Sequence, residues 1–260
     1  MNKFINDHKI IGMVHLLPLP GSPKFGGDVE AIRKRAFEDV EALMAGGADT
    51  FIVENFNDDP YGETIDEFGF ALMTSICQEI KSKYNVEFGV NIQFNDVEKE
   101  WALAYACGAK FVRCEVFIDA RVGIQGVMNP KARQIAALKN RYHIDALVVA
   151  DVDVKHTVAL VKEPLIELID RAKEEGADAV ILTGTKTGEN AKIEDIIEVR
   201  KHVGDDLSLV IGSGIKDSNI KEYLTYADAV IVGSSIKIDG NVRNGVDAQK
   251  VKKLVAASKM

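Results

Sequence analysis

The run Asp151-Val152-Asp153-Val154-Lys155-His156 carries the most suggestive chemistry in the chain. Carboxylates two residues apart on a strand share one face. With Glu115, Asp151 and Asp153 form a candidate set of oxygen ligands for a divalent cation. Without a metal, one carboxylate can abstract a proton while the other sets its pKa. Lys155 reads either as a Schiff-base lysine or as a solvated neighbour of His156. His15, Arg113 and the pair Glu54-Asn55 also end or punctuate apolar runs, and they complete the catalytic candidates.

A second constellation holds no charge. Leu209-Val210-Ile211-Gly212-Ser213-Gly214 and Val230-Ile231-Val232-Gly233-Ser234-Ser235 each pass from β-branched residues into small ones. Each reads as a buried strand opening into a turn. Glycine lets backbone N–H groups approach a ligand closely. Two such turns in succession fit the phosphate site after the seventh and eighth strands of a (β/α)8 barrel. Gly212, Ser213, Gly214, Gly233, Ser234 and Ser235 are therefore the phosphate-binding candidates. Thr183-Gly184-Thr185-Lys186-Thr187-Gly188 lacks the order of a P-loop and is either a further wall of the mouth or a plain turn.

Positioning these residues requires strands that alternate with helices. Ala45-Gly46-Gly47-Ala48-Asp49 leads into Phe51-Ile52-Val53, Cys107-Gly108-Ala109-Lys110 into Phe111-Val112, and Glu175-Gly176-Ala177-Asp178 into Ala179-Val180-Ile181-Leu182. In each, an amphipathic segment ends at a small residue and a buried strand follows, the pattern of βα units in a parallel sheet. Eight strands are expected: Lys9–His15, Thr50–Asn55, Glu87–Gln93, Lys110–Val116, Ala146–Val152, Ala179–Thr183, Ser208–Ser213 and Ala229–Gly233. The first helix should span Val29 to Ala45 behind an Asp28 cap. Pro130 and Pro164 should open two later helices, and Asp217-Ser218 and Asp247 should cap the last two. All 260 residues are expected to form one (β/α)8 barrel domain.

Alternation then assigns faces. Asp151 and Asp153 share a parity with Leu147 and Val149, and the opposite, wholly apolar set should meet the helices. Arg113 and Glu115 should face the axis, as should Asn91 and Gln93. For Glu54 and Asn55 the parity is open. The long connections follow strands, which places them on the face where barrel sites are built. The loop after the first strand holds Leu17, Leu19 and Phe25 among prolines and glycines, so it is either a lid over the mouth or a packed rim.

Composition narrows the class. The chain is 47% hydrophobic and 28% charged, with a net charge of −8. It has no basic stripe, so nucleic acid is not an expected partner. No stretch approaches a membrane span, and no signal-peptide core opens the chain. Three cysteines without C-x-x-C spacing fit free thiols in a cytoplasmic protein. A homo-oligomer is compatible with all of this.

With these residues in view, the chain resembles the BtpA family over nearly its whole length. The likeness is carried by Ile11-Gly12-Met13-Val14-His15-Leu16-Leu17-Pro18-Leu19-Pro20-Gly21-Ser22-Pro23, by Val53-Glu54-Asn55-Phe56, and by Asp151–His156. Thr183-Gly184, Thr187-Gly188 and Gly212-Ser213-Gly214 continue it. The resemblance implies a barrel of the ribulose-phosphate-binding type. It also implies links to photosystem I biogenesis in cyanobacteria and to sugar uptake in other bacteria. Ile124, where an acidic residue is usual, and Gln93 depart from the pattern.

Two functional expectations follow. The first is an enzyme acting on a phosphorylated sugar or nucleotide-like molecule, by isomerase, epimerase or lyase chemistry, with a divalent metal as an optional cofactor. A phosphohydrolase fits the same parts. The second is a non-catalytic assembly factor that retains a phosphate pocket.

Overall fold

The computed structural model describes residues 3–93, 95–154, 156–184 and 191–259. Lys155 and the Thr185, Lys186, Thr187 and Gly188 part of the sixth turn lie outside them. In chain order the described strands are β1 (Ile10–His15), β2 (Thr50–Glu54), β3 (Gly89–Asn91), β4 (Phe111–Cys114), β5 (Arg121–Gly123), β6 (Gly126–Met128), β7 (Leu147–Val152), β8 (Val158–Ala159), β9 (Ala179–Leu182), β10 (Ser208–Ile211) and β11 (Ala229–Val232). The helices are α1 (Lys3–Asp7), α2 (Val29–Gly46), α3 (Glu67–Tyr84), α4 (Val97–Cys107), α5 (Ala132–Tyr142), α6 (Leu165–Glu174), α7 (Ile193–Val203), α8 (Ile220–Tyr223) and α9 (Ala248–Lys259). Eight strands close into a parallel barrel in the order β1-β11-β10-β9-β7-β4-β3-β2.

Alternation along the strands produces two apolar layers. Ile11, Met13, Ile52, Phe111, Val149, Ile181, Val210 and Ile231 fill the barrel interior. Val14, Val53, Val90, Val112, Val148, Val180, Leu209 and Val230 face the helices. Burying one such side chain contributes about 1.5–3 kcal/mol, so a one-residue slip of any strand would forfeit several contacts at once. Phe4 and Ile5 of α1 join the interior layer and close its bottom. Gly89 makes room for that layer, because a Cβ there would fall 2.3 Å from the Phe111 ring.

Asp28 caps α2, its carboxylate accepting from Ala31 N at 2.9 Å, and Gly47 ends the helix with φ 91°. Asp247 caps α9 through Gln249 N. Three helix starts fall later than expected. Pro130 lies before Lys131, the residue that precedes α5, and Pro164 is itself the residue before α6. Asn219 precedes α8, since its side chain accepts from Lys216 N in the turn after β10. Asp217 instead pairs with Lys253.

Beyond the barrel, β5 and β6 form a hairpin, and β8 joins it as a small antiparallel sheet in the order β6-β5-β8. The sequence marks this only as a long connection after the fourth barrel strand. No described helix is long and apolar enough to cross a membrane.

Candidate functional site

The C-terminal ends of the strands surround a cavity of about 640 Å³. That lies within the 300–1,000 Å³ of typical small-molecule sites. His15, Glu54, Arg113 and Glu115 line it, together with both Gly/Ser turns. The sequence brings these together because each stands at or just after the last residue of a barrel strand with inward parity.

His15 ends β1 and Glu54 ends β2, in register as neighbours. Parity with interior Ile52 turns Glu54 inward and resolves the open assignment. His15 Nε2 lies 3.2 Å from Glu54 Oε2, and Nδ1 lies 3.2 Å from the Val242 carbonyl. A carbonyl only accepts, so Nδ1 carries a proton. Nε2 then faces a carboxylate oxygen, and the contact is bonding only if one proton lies between them. Burial is the largest influence on His15 and lowers its pKa, against the raising effect of Glu54. Burial also pushes Glu54 up, but the hydrogen bond and charge of His15, with Arg113 and Gln93 behind them, hold it at about 2. Phe56 stacks on the imidazole at 4.3 Å between centroids and fixes its plane.

Arg113 forms the floor. Its Nε and Nη2 donate to Asp151 at 2.8 and 3.0 Å, a bidentate pair, and Nη1 lies 3.9 Å from Glu54. Burial opposes its charge, but Asp151 and the nearby Glu54 and Glu115 outweigh this and raise its pKa. Glu115 is buried against the cavity. Behind the floor, Glu100 of α4 accepts from Ile92 N at 2.7 Å and from the Asn91 amide at 3.2 Å. Burial pushes its carboxyl well above the usual range.

Asp153 does not face the axis. β7 ends at Val152, Asp153 takes φ 60°, and strand alternation stops applying. Its side chain is 74% exposed and pairs with Arg121 Nη2 at 2.8 Å. The expected metal set Glu115, Asp151 and Asp153 is therefore not assembled. Asp151 is committed to Arg113 and Asp153 to Arg121, and no cluster of three ligating side chains suited to a metal occurs among the described residues. Asn55 also serves structure rather than the cavity. Its amide oxygen accepts from Gln93 N and its nitrogen donates to Asp58, each at 2.9 Å.

Opposite the floor residues stand the two turns. Gly214 takes φ 75°, which favours glycine, and Ser213 Oγ accepts from Gly184 N at 2.7 Å. Ser235 Oγ is shielded from solvent and has no hydrogen-bond partner among the described residues. Gly233 sits beside the His15–Glu54 pair, since a Cβ there would lie 3.6 Å from His15 Cε1. The second turn and His15 thus adjoin one another, as their strands do in the barrel.

Three lining residues escape the sequence reading. Arg243, in the loop after β11, donates to Asn57 and bidentately to Asp59, at 2.9–3.0 Å. Asp59 also accepts from Lys24 at 2.7 Å, so one carboxylate ties the loops after β1, β2 and β11. Tyr61 donates to the Phe56 carbonyl, and burial with Glu54 and Glu115 nearby raises its pKa, keeping it a donor. The signal available was position alone: both loops follow barrel strands.

The sequence model described as the BtpA family matches residues 6–260. An uncharacterized protein of Archaeoglobus fulgidus is 36% identical over 250 residues, covering 96% of this chain and 98% of that protein. The photosystem I biogenesis protein BtpA of Synechocystis is 34% identical over 256 residues, covering 98% and 89%. Among solved structures, a thiamine phosphate pyrophosphorylase from Pyrococcus furiosus superposes with TM-score 0.61 at 14% identity, covering 99% of this chain and 98% of that one. Phosphoribosyl anthranilate isomerase from Thermus thermophilus gives 0.59 at 13% identity, covering 96% and 97%. At these identities the structural likeness carries the fold.

Proposed function

The chain belongs to the BtpA family, and from that premise we propose that it is an enzyme acting on a phosphorylated sugar or nucleotide-like molecule. One observation carries the reading: a buried His15–Glu54 pair, ring nitrogen to carboxylate at 3.2 Å, stands beside the Gly233 turn in a single cavity. The ligand's phosphate sits on backbone N–H groups of Gly214, Ser234 and Ser235, which bind an anion without net positive charge. The unpartnered Ser235 hydroxyl supports this placement. Gly212, Ser213 and Gly233 keep the turns small enough for close approach.

The reacting carbon lies over Arg113 and Glu115. His15 delivers or accepts a proton at Nε2, and Glu54 holds the imidazole in place and takes up the complementary charge. Arg113, fixed by Asp151, steadies negative charge that develops on a substrate oxygen. Such parts suit isomerase, epimerase or lyase chemistry, which needs proton movement next to an anchored phosphate. A phosphohydrolase would need a positioned water in addition.

A second reading has one observation behind it, the name of the Synechocystis relative. In it, the chain is an assembly factor with an inherited pocket. Thermal-shift titration with ribose 5-phosphate separates the two. A rise in melting temperature that saturates supports the pocket, and exchange of a substrate C–H proton with solvent deuterium supports chemistry. No shift with ribose 5-phosphate or inorganic phosphate would reject the phosphate site.

A further inference from the structure

The small sheet outside the barrel wears its residues inside out. On its covered side, Arg121 is 2% exposed and bonds to Asp119, Asp153 and Thr157, and its register partner Met128 is 8% exposed. On the other side, register aligns Val127, Val122 and Val158 in one row across the three strands. They are 58%, 37% and 69% exposed. Leu160, whose N donates to the Ala120 carbonyl and so continues the β5–β8 ladder, lies on that same face at 59% exposure, and Ile124 at the adjoining hairpin tip is 79% exposed. A solvated sheet face normally carries polar residues. These five side chains present apolar surface on the order of 500 Å², near the upper end of what one patch on a monomer shows.

We propose that this valine face is a homodimer interface and that its occupant is the same face of a second copy. Three arguments select that occupant. The exposed area is more than half of the roughly 800 Å² that each partner brings to a standard interface. The chain carries net charge −8, so two copies repel over most of their surface. The valine row is uncharged, so contact there adds no close like-charge pair. A single row of like side chains centred on Val122 is also self-complementary about a two-fold axis, as an isologous contact requires. The hairpin tip belongs to the cavity wall through Ile124 and Gln125, so pairing brings the second copy up to the rim of the mouth.

The experiment is sedimentation velocity on the full chain over a concentration series, for wild type and the double variant Val122→Lys, Val158→Lys. Both positions are solvent-exposed, and unchanged far-ultraviolet circular dichroism and melting temperature report an intact fold. Wild type is expected at twice the chain mass and the variant at the chain mass. Val122→Cys adds a second readout, because the native Cys77, Cys107 and Cys114 are buried. Under copper-phenanthroline oxidation, the two introduced thiols of a Val122→Cys dimer lose two electrons and two protons in all. The oxidant takes the electrons, and the two sulfurs form one intermolecular disulfide. Wild type that stays monomeric overturns the proposal and leaves the face to a different protein or a lipid surface. A double variant that stays dimeric overturns it equally, and so does Val122→Cys that dimerises but does not cross-link.

Discussion

His15 Nε2 and Glu54 Oε2 lie 3.2 Å apart, with both side chains buried. Both pKa values are lowered, so the sign of their pH dependence is the same. A histidine lowered by burial binds its proton more weakly folded than unfolded, and stability falls as pH drops below 6.5. A carboxyl lowered from 4.5 to about 2 contributes stability that is whole above 4.5 and lost as pH falls towards 2. The melting temperature is expected to decline below pH 6.5 and more steeply below 4.5. Glu54→Gln should flatten the steep lower part. An equal slope in wild type and variant would show that other groups govern the acid loss.

Asp151 and Asp153 look equivalent in sequence and are not in the fold. Asp151→Asn leaves buried Arg113 without its bidentate partner, a loss of about 3–5 kcal/mol by analogy with broken buried pairs. Asp153→Asn weakens an exposed contact whose loss costs at most about 1 kcal/mol. Chemical denaturation should separate the two by more than about twofold in stability change. Similar losses would mean that Arg113 finds another carboxylate, with Glu54 the nearest at 3.9 Å.

Glu100 contributes in the opposite sense. Its carboxyl is raised by burial, so the folded chain holds a proton that the unfolded chain releases above pH 4.5. Stability from this group is therefore present in acid and lost as pH rises. Glu100→Gln keeps an acceptor for Ile92 N and removes the ionisable group. It should melt at or above the wild-type temperature at about pH 8, with the difference closing towards pH 4.5. A variant that melts well below wild type in mild alkali would show that the carboxyl makes a bond the amide cannot.

The barrel was legible because its eight strands are short apolar runs, each reached through a helix and a tight turn. The inward placement of Asn91, Arg113 and Asp151 followed from parity within those strands, Glu115 kept that parity one residue past β4, and His15 was marked by ending its apolar run. Parity failed where the strand ended: Asp153 lies one residue past β7, and its positive φ turns it out to Arg121. It was also silent on Asp59, Tyr61 and Arg243, which converge from loops by tertiary pairing that no local pattern encodes. The β5–β6 hairpin was missed because three-residue strands around Ile124-Gln125 give alternation too little length to register.

Phosphate binding can be tested at Ser234. Aspartate there places a carboxylate among the amides assigned to the phosphate, and like charges this close oppose binding by several kcal/mol at low dielectric. Ser234→Asp should lose ribose 5-phosphate binding by at least about 100-fold in titration calorimetry, by the relation of about 1.4 kcal/mol per tenfold. Ser234→Ala should change it little, because the backbone donors remain. Undiminished binding in Ser234→Asp would move the phosphate elsewhere in the cavity.

The loop after β1 divides the lid reading from the rim reading. Leu16 and Leu19 are fully buried and Leu17 and Phe25 are half-buried against the core, so the loop already has much of the apolar cover that its composition demands. Leu19 N donates to Asp58 at 2.8 Å, and the Leu16 carbonyl accepts from Asn57 at 2.7 Å. Lys24 adds an ion pair to Asp59, the carboxylate that also holds Arg243. Opening would break these contacts together and expose two leucines, at about 1.5–3 kcal/mol each. The loop is therefore expected to act as a rim. The Leu19 amide should be protected from hydrogen exchange without ligand, and ribose 5-phosphate should leave that protection unchanged. Asp59→Asn should loosen the Lys24 and Arg243 ends while Leu19 stays protected, since its acceptor is Asp58. A gain in Leu19 protection on adding ribose 5-phosphate would show that closure is coupled to occupancy and that the loop is a lid.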